Sequence, residues 1–192
     1  DRLNELNFEM GLAAFPEGVM VNTIGKVLVH SLERAARTDD VLMPYAQMLA
    51  SDAFAVPLFG LMNGSIDTLI RFSQDGQQRL FVTDWKSNRL DEDGMDYVID
   101  GYSRESMVHA MEHHHYPLQA LIYGTAVHRY IRSRAATSQS LPSIAGMAYF
   151  FIRGMVGEPT PIDNGNRHGV FTWEAPAGLW QELSDAISGA GK

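Results

Sequence analysis

Residues 66–85, IDTLIRFSQDGQQRLFVTDW, are the stretch on which the prediction of the fold depends. Two runs rich in β-branched and aromatic residues, Ile66 to Phe72 and Arg79 to Trp85, flank a polar segment that contains Asp75-Gly76. Such residues favour strands, and Asp-Gly between two such runs is a strong signal for a tight turn. The stretch therefore predicts a β-hairpin whose turn is centred between Asp75 and Gly76.

The register of this hairpin predicts which side chains share a face. Residues whose numbers add up to 151 lie opposite each other, so Asp67 faces Asp84. Opposed side chains point to the same side of a sheet, and two carboxylates there repel each other unless a positive charge lies nearby. Lys86 is on that face too, because side chains alternate along a strand. Ile66 and Trp85 are expected on the other face, in the core.

Two carboxylates and a lysine at one strand end form a site suited to Mg²⁺ or Mn²⁺, which prefer oxygen ligands. A bound divalent cation lowers the pKa of a water ligand and stabilises charge on a phosphate, while an ammonium orients or deprotonates that water. Hydrolysis of a phosphodiester needs these parts. The alternative is a surface ion pair of Asp84 and Lys86, since an Asp-any-Lys triplet is common by chance.

Helices and strands are predicted over most of the remaining chain. Apolar residues at three- and four-residue steps predict two helices between Lys26 and Ala50, with a break near Thr38-Asp39-Asp40. Residues 1–25 are interpreted as an approach segment with a short helix near Asn4 to Met10, and residues 26–192 as one domain. The other predicted elements are helices over Tyr102–His115, Pro117–Ala136 and Pro176–Ile187, and strands over Ile144–Ile152 and Val170–Trp173.

The composition excludes several kinds of site. The chain of 192 residues has no cysteine, which excludes disulfides, thiolate zinc sites, cysteine nucleophiles and cysteine-held iron–sulfur clusters. Its formal net charge of -8 is the opposite of a free-standing nucleic-acid clamp, so contact with DNA requires a local site or a partner. His113-His114-His115 does not predict zinc, because consecutive helical residues point about 100° apart; the run is expected at a helix end.

Five short segments carry a resemblance to a known family. They are Val27–Leu32 with His30, Gly64–Asp67, Val82–Asn88, Tyr116–Gln119 with Tyr123, and Tyr149–Met155. In this order and at this spacing they resemble the nuclease domain of RecB, the large subunit of the RecBCD helicase–nuclease, in the PD-(D/E)XK nuclease superfamily. The resemblance runs from about Val27 to the end of the chain, and its joint pattern is specific although each piece is weak.

The resemblance implies a fold and a role for each matched residue. The fold would be α/β and restriction-endonuclease-like, with a central mixed β-sheet flanked by helices. Asp67 and Asp84 would be metal-binding carboxylates, and Lys86 the catalytic lysine. The resemblance further implies His30 and the Trp85 main-chain carbonyl as metal ligands, and Gln119 and Tyr123 as supporting residues near the DNA or the lysine. Gln119 and Tyr123 share one helix face because they are four residues apart.

The resemblance also implies an activity and partners. The activity would be that of an exodeoxyribonuclease V-like enzyme, an exonuclease, an endonuclease or both, with Mg²⁺ as cofactor and Mn²⁺ or Ca²⁺ able to occupy its site. The substrate would be single-stranded DNA ends from unwound duplex during double-strand-break repair by recombination. Since the first residue is Asp1 rather than Met, we expect a piece of a longer protein. Its partners would be a helicase portion of the same chain and RecC- and RecD-like subunits, in the cytoplasm and without membrane contact.

One departure from the family pattern and two alternative functions remain. The family has a glycine four residues before its histidine, and Lys26 holds that place here, with Gly25 one residue earlier. The first alternative is a non-catalytic, nuclease-like module that binds DNA or protein. The second is a metal-dependent phosphoesterase that acts on small phosphates. Opposed carboxylates with a lysine argue against the first alternative, because a scaffold has no use for them.

Overall fold

Helices and strands are given for the part of the chain that the structure describes. The structure is a computed structural model and describes residues 2–14, 18–90, 99–134 and 141–189, without the side chains of residues 2–4. In chain order the elements are β1 (Arg2–Gly11), β2 (Val19–Met20), α1 (Val21–Arg34), α2 (Met43–Ala50), β3 (Pro57–Leu58), β4 (Leu61–Gln74), β5 (Gln77–Lys86), α3 (Arg104–His113), α4 (Tyr116–Ser133), β6 (Ser143–Phe151), β7 (Ile162–Asp163), β8 (Asn166–Arg167), β9 (Val170–Glu174) and α5 (Leu179–Ser188).

The longer strands form one mixed sheet with the order β1-β4-β5-β6-β9. Its neighbouring strands are antiparallel except β5 and β6, which are parallel and are joined through α3 and α4. The short strands form two separate pairs, β2 with β3 and β7 with β8. The sheet and its helices give an α/β architecture compatible with the restriction-endonuclease-like fold, so the predicted fold class is confirmed.

The predicted hairpin is present with the predicted register. β4 and β5 pair from Gln74 opposite Gln77 to Thr68 opposite Thr83, so paired residue numbers add up to 151. Asp75 and Gly76 have φ angles of 50° and 77°. Positive φ at both central residues is the geometry of a type I′ turn, whose twist suits two antiparallel strands. The Asp-Gly dipeptide therefore fixes the register locally.

The helices are anchored to each other and to the sheet. α4 packs against α5, β5 and β6, and α1 packs against α2 and α5. The predicted break after the first helix is present, and Asp40 accepts hydrogen bonds there from the Leu42 backbone N–H and from Trp173 Nε1. The predicted helices over Tyr102–His115 and Pro176–Ile187 correspond to α3 and α5. No helix of the described ranges is both long and apolar enough to cross a bilayer.

The core lies between the sheet and these helices. Fully or nearly fully buried apolar side chains come from the sheet and from every helix; they include Leu28, Leu32, Tyr45, Val82, Met107, Leu121, Met147, Tyr149, Phe151, Phe171 and Leu183. The predicted buried strand at Ile144–Ile152 is confirmed as β6. The predicted helix that starts at Pro117 is confirmed as α4, with Pro117 in its first turn as the fixed φ of proline favours. Its predicted end at Ala136 lies outside the described residues.

The short helix predicted near Asn4 to Met10 is wrong, because this segment is the edge strand β1. Leu6, Phe8 and Met10 are more buried than the residues between them, which is the two-residue alternation of a strand with one buried face. β1 pairs with β4 over its whole length, and this tertiary pairing determines its conformation. The point along the chain at which the domain begins stays a prediction.

Gly146 is expected to be essential for the pairing of β6 with β9. A Cβ atom at Gly146 would lie 1.9 Å from the main-chain oxygen of Trp173 and 2.9 Å from Glu174 Cα, so backbone atoms must move. We expect Gly146→Ala to lower the free energy of unfolding by about 1–3 kcal/mol, the usual penalty for overpacking. Urea unfolding measures this, with Gly11→Ala as the matched control because nothing lies within 4 Å of a Cβ there. Equal stability of the two variants would contradict the prediction.

Candidate active site

Two aspartates lie at the end of the hairpin that is distant from its turn. Thr68 and Thr83 are the last paired residues at this end, and Asp67 and Asp84 are their neighbours along the two strands. Asp84 is 5% exposed, whereas Asp67 is exposed. Burial raises the pKa of Asp84; contact with Lys86 opposes this rise and the negative charge of Asp67 adds to it. The hairpin therefore brings two interacting carboxylates together, one inside the protein and one at its surface.

Lys86 forms an ion pair with the buried carboxylate. Its Nζ lies 2.6 Å from Asp84 Oδ2, and the two side chains are only 13% and 7% exposed. The side chains meet because residues two apart in β5 point to the same face of the sheet. The pair is nearly excluded from solvent, so the remaining hydrogen-bonding positions of both groups must be filled by protein or by a ligand.

The α4 helix covers this ion pair with two polar side chains. Gln119 Oε1 lies 3.4 Å from Lys86 Nζ and accepts a hydrogen bond from it. Gln119 Nε2 in turn donates to the Tyr123 hydroxyl over 3.1 Å, across one turn of the helix. The structure thus brings Lys86, Gln119 and Tyr123 into one chain of contacts, as expected for residues that support the lysine.

Two tyrosines outside the predicted set of site residues also line the site. Lys86 Nζ lies 3.9 Å from the centre of the Tyr116 ring and 5.4 Å from that of Tyr149. The Tyr149 hydroxyl lies 3.0 Å from the Tyr116 carbonyl oxygen and 3.1 Å from Gln119 Oε1, two acceptors for one proton. Burial, with the negative charge of Asp84, raises the pKa of Tyr149. The sequence signal for Tyr149 was its place in an apolar run, which correctly indicated burial.

Hydrogen bonds fix the segment after β5 beside these groups. The Tyr116 hydroxyl donates to Asn88 Oδ1 over 3.1 Å, and the Tyr102 hydroxyl donates to the Asn88 carbonyl oxygen over 3.1 Å. Arg153 Nε donates to the Ser87 carbonyl oxygen over 2.8 Å. The chain that leaves β5 is therefore held by α4, by the turn before α3 and by the turn after β6.

Among the described residues, His30 does not join Asp67 and Asp84 in a cluster that could hold a metal ion. It is exposed on α1 and borders a shallow hollow with Lys26 and Gln47. Leu28 and Leu32 are fully buried. Each is two residues from His30, so about 200° of helical rotation directs the imidazole to the opposite side of the helix. The geometry gives the prediction of His30 as a metal ligand no support.

Trp85 does not lie in the core, and its predicted place on a core face is wrong. Its side chain is 45% exposed and stacks on Phe150 with ring centres 4.7 Å apart. Asp84 and Lys86 point towards α4, so Trp85 between them points to the opposite face of the sheet. Ile66, which was expected on the same face, is fully buried. The Trp85 main-chain carbonyl as a metal ligand stays a prediction.

The histidine run lies at a helix end, as predicted. α3 ends at His113, and His115 has a φ angle of 54° immediately before α4. The His114 ring stacks on the Tyr116 ring with centres 5.2 Å apart, and burial, with the charges of His113 and Lys86, lowers the pKa of His114. The run therefore forms the turn that delivers Tyr116 to the site.

The donor set fits a hard divalent cation held mainly by water and substrate. Within the described ranges, no three carboxylate or imidazole side chains are close enough together to hold a metal ion. Mg²⁺ in proteins commonly takes only one or two carboxylates and completes its shell with water and phosphate oxygens. Asp67 and Asp84 meet that requirement, and both present oxygen rather than nitrogen or sulfur.

Three relatives found by comparison with known proteins have the same name. The chain is 39% identical to "RecBCD enzyme subunit RecB" of Mycobacterium tuberculosis and 35% identical to the protein of the same name from Mycolicibacterium smegmatis, in each case over 97% of this chain. It is 32% identical over 68% of its length to the protein of that name from Escherichia coli. The chain spans only 16%, 17% and 10% of these three relatives, respectively. No protein-family model matches it.

The raised pKa of Asp84 predicts how stability depends on pH. The folded protein keeps the proton of the Asp84 carboxyl to higher pH than the unfolded chain does, because the pKa of Asp84 is near 3.8 in the unfolded chain. The contribution of Asp84 to stability is therefore complete below 3.8 and is lost as the pH rises through the raised pKa. With a chelator present, we expect Asp84→Asn to gain stability relative to the unchanged chain as the pH rises from 3.8 through the raised pKa of Asp84.

Urea unfolding at several pH values measures this difference. Asp75→Asn makes the same carboxylate-to-amide change in the exposed turn of the same hairpin and reports the effect of removing one surface charge. If Asp84→Asn instead loses stability relative to the unchanged chain as the pH rises, the prediction is contradicted. The ion pair with Lys86 would then outweigh the burial of Asp84.

Proposed function

The chain is a RecB-related domain, and on that premise we propose that it is a metal-dependent nuclease that hydrolyses DNA phosphodiester bonds. The observation that carries the proposal is the enclosed ion pair of Asp84 and Lys86 beside Asp67 at the end of β5. A buried ion pair adds little to stability, because the loss of hydration offsets the attraction between the charges. A catalytic role therefore explains the position of this ion pair in the sheet better than a contribution to stability does.

The proposed cofactor is Mg²⁺, with Mn²⁺ or Ca²⁺ as substitutes. Asp67 and Asp84 would hold it, with the Trp85 main-chain carbonyl as a further oxygen. When bound, such an ion polarises the phosphate and lowers the pKa of a bound water. Asp84 would share its carboxylate between the cation and Lys86, whose Nζ lies 2.6 Å from Oδ2.

The side chains around Lys86 define its part in the reaction. In hydrolysis, a water oxygen bonds to phosphorus, one bond from phosphorus to an ester oxygen breaks, and negative charge builds on the phosphate oxygens. Lys86 supplies a positive charge at that place and orients the water. Gln119 accepts a hydrogen bond from Lys86 Nζ and is itself held by Tyr123, so the ammonium keeps one position.

The proposed substrate is single-stranded DNA from the unwound ends of a duplex, in double-strand-break repair by recombination. The relatives are named as subunits of a RecBCD enzyme, and the chain spans about one sixth of the two mycobacterial ones. We propose a helicase portion of the same polypeptide and RecC- and RecD-like subunits as partners. Delivery of the strand by partners also accommodates the net charge of -8, which repels free DNA.

Cleavage of linear single-stranded DNA by the purified chain tests the proposal. We expect cleavage with Mg²⁺ or Mn²⁺ and none with a chelator. Asp84→Asn and Lys86→Gln should each lower the rate by about 100-fold or more, as expected when one group that stabilises the transition state is lost. Asp75→Asn, the same amide substitution in the exposed turn of this hairpin, should cleave at the rate of the unchanged chain.

The same assay separates the alternatives. A small-molecule phosphoesterase would cleave mononucleotide esters in the absence of polynucleotide, and the proposed nuclease would not. A non-catalytic module would bind DNA without metal-dependent cleavage. Absence of cleavage by the unchanged chain with both metals would contradict the proposal for this domain acting alone.

A further inference from the structure

The Lys86 ammonium has a third neighbour besides two oxygen atoms. Asp84 Oδ2 lies 2.6 Å from Nζ and Gln119 Oε1 lies 3.4 Å from it. The Tyr116 ring centre, at 3.9 Å, is within the range of a cation–π contact. With 13% exposure of the lysine side chain, water has little access to the ammonium. An aromatic face thus takes a place around Nζ that water would otherwise occupy.

Tyr116 is itself held on several sides. Its hydroxyl donates to Asn88 Oδ1, and its ring lies nearly parallel to that of Tyr149, with centres 5.6 Å and planes 19° apart. The His114 ring stacks on it as well, at 5.2 Å and 23°. The Tyr116 main chain begins α4, directly after the left-handed residue His115. A ring fixed by its hydroxyl, by two rings and by a helix start is preorganised, which core packing alone does not require.

We propose that Tyr116 is a positioning residue for Lys86, and that its ring holds the ammonium independently of Asp84. The inference rests on the proposed function, because it concerns the catalytic part of Lys86. Asp84 has two competing partners in that function: the Lys86 ammonium and the divalent cation. A carboxylate shared with the cation would attract Lys86 less strongly, and the Tyr116 ring with Gln119 would keep the ammonium at the site.

Tyr149 does not have the positioning role proposed for Tyr116. Its ring centre is 5.4 Å from Lys86 Nζ, farther than that of Tyr116, and its hydroxyl is engaged with Gln119 and the main chain of Tyr116. Tyr149 therefore contacts the lysine at a longer distance than Tyr116 does, and it also supports Tyr116 and Gln119. Removal of the Tyr116 ring is the change that exposes the ammonium.

Lysine-specific NMR measures the position of Lys86 without any reaction. The chain has only three lysines, Lys26, Lys86 and Lys192, so selective ¹³C labelling gives three side-chain signals. Ring current shifts a methylene group above an aromatic ring upfield. We expect one upfield lysine ε-methylene signal in the unchanged chain, in Asp84→Asn and in Tyr116→Phe, and its loss in Tyr116→Leu.

Asp84→Asn is the decisive variant in this spectrum, and it does not depend on how well Tyr116→Leu folds. It removes the ion pair and leaves the ring in place. An upfield signal that persists in Asp84→Asn supports the proposal. Loss of the signal in that variant overturns it, because Asp84 alone would then hold the lysine. Absence of an upfield signal in the unchanged chain also overturns it.

DNA cleavage supplies the second readout. Tyr116→Leu should lower kcat about tenfold with little change in KM, because a cation–π contact at a site poor in water is lost while substrate contacts remain. Tyr116→Phe should restore most of kcat, since it keeps the ring and loses only the hydrogen bond to Asn88. Tyr130→Leu is the matched control, an exposed tyrosine on the same helix that contacts Arg134 rather than Lys86.

The two readouts distinguish failure of this inference from failure of the proposed function. An active unchanged chain with equal kcat in Tyr116→Leu overturns the positioning role and leaves the nuclease proposal standing. Equal losses in Tyr116→Leu and Tyr116→Phe also overturn it, because the hydroxyl rather than the ring would then matter. An unchanged chain that does not cleave DNA contradicts the proposed function, and the catalytic role of Tyr116 with it.

Discussion

The ion pair of Asp84 and Lys86 is the interaction on which the arrangement of the site depends. Charges removed from water are stable only when surrounding groups replace the lost hydration. For Lys86, two of those groups, Gln119 and Tyr116, come from α4 and not from its own strand. The helix must therefore dock on β5 and β6 in one position. On its other side α4 packs against α5, and Gly124 permits this packing because a Cβ there would lie 2.2 Å from the Trp180 ring of α5.

The hairpin was predictable because everything that determines it is local. Asp75 and Gly76 fix the turn, the turn fixes the register as far as Thr68 and Thr83, and the charge of Asp67 acts on Asp84 just beyond that pair. The edge strand was not predictable in the same way. Leu3, Leu6 and Met10 have helical spacing, while Leu6, Phe8 and Met10 have the alternation of a strand. Pairing with β4, more than 50 residues away, decides between the two, and local periodicity carries no information about that pairing.

The residues of the candidate site differ in the same way: some contacts follow from local structure, and others depend on tertiary packing. Lys86 follows from strand alternation, and the shared face of Gln119 and Tyr123 follows from helical spacing. The contact of Tyr116 with Lys86 depends on how α4 crosses the sheet, so the sequence shows an aromatic residue without showing its partner. His30 is the reverse case. The buried leucines two residues before and after it indicate an outward direction, whereas only the resemblance to the family implies a role as a metal ligand.

The formal charges of the site argue for an order of binding under the proposed function. Asp67 and Asp84 with Lys86 give two negative charges and one positive, so the site alone repels a phosphate. A divalent cation reverses that sign. It would also weaken the attraction of Asp84 for Lys86, because one carboxylate would then be shared by two cations. The cation therefore has to arrive with or before the DNA strand. The ammonium would then stay beside the phosphate only if other groups retain it, and the contacts of Tyr116 and Gln119 with Lys86 do not involve Asp84.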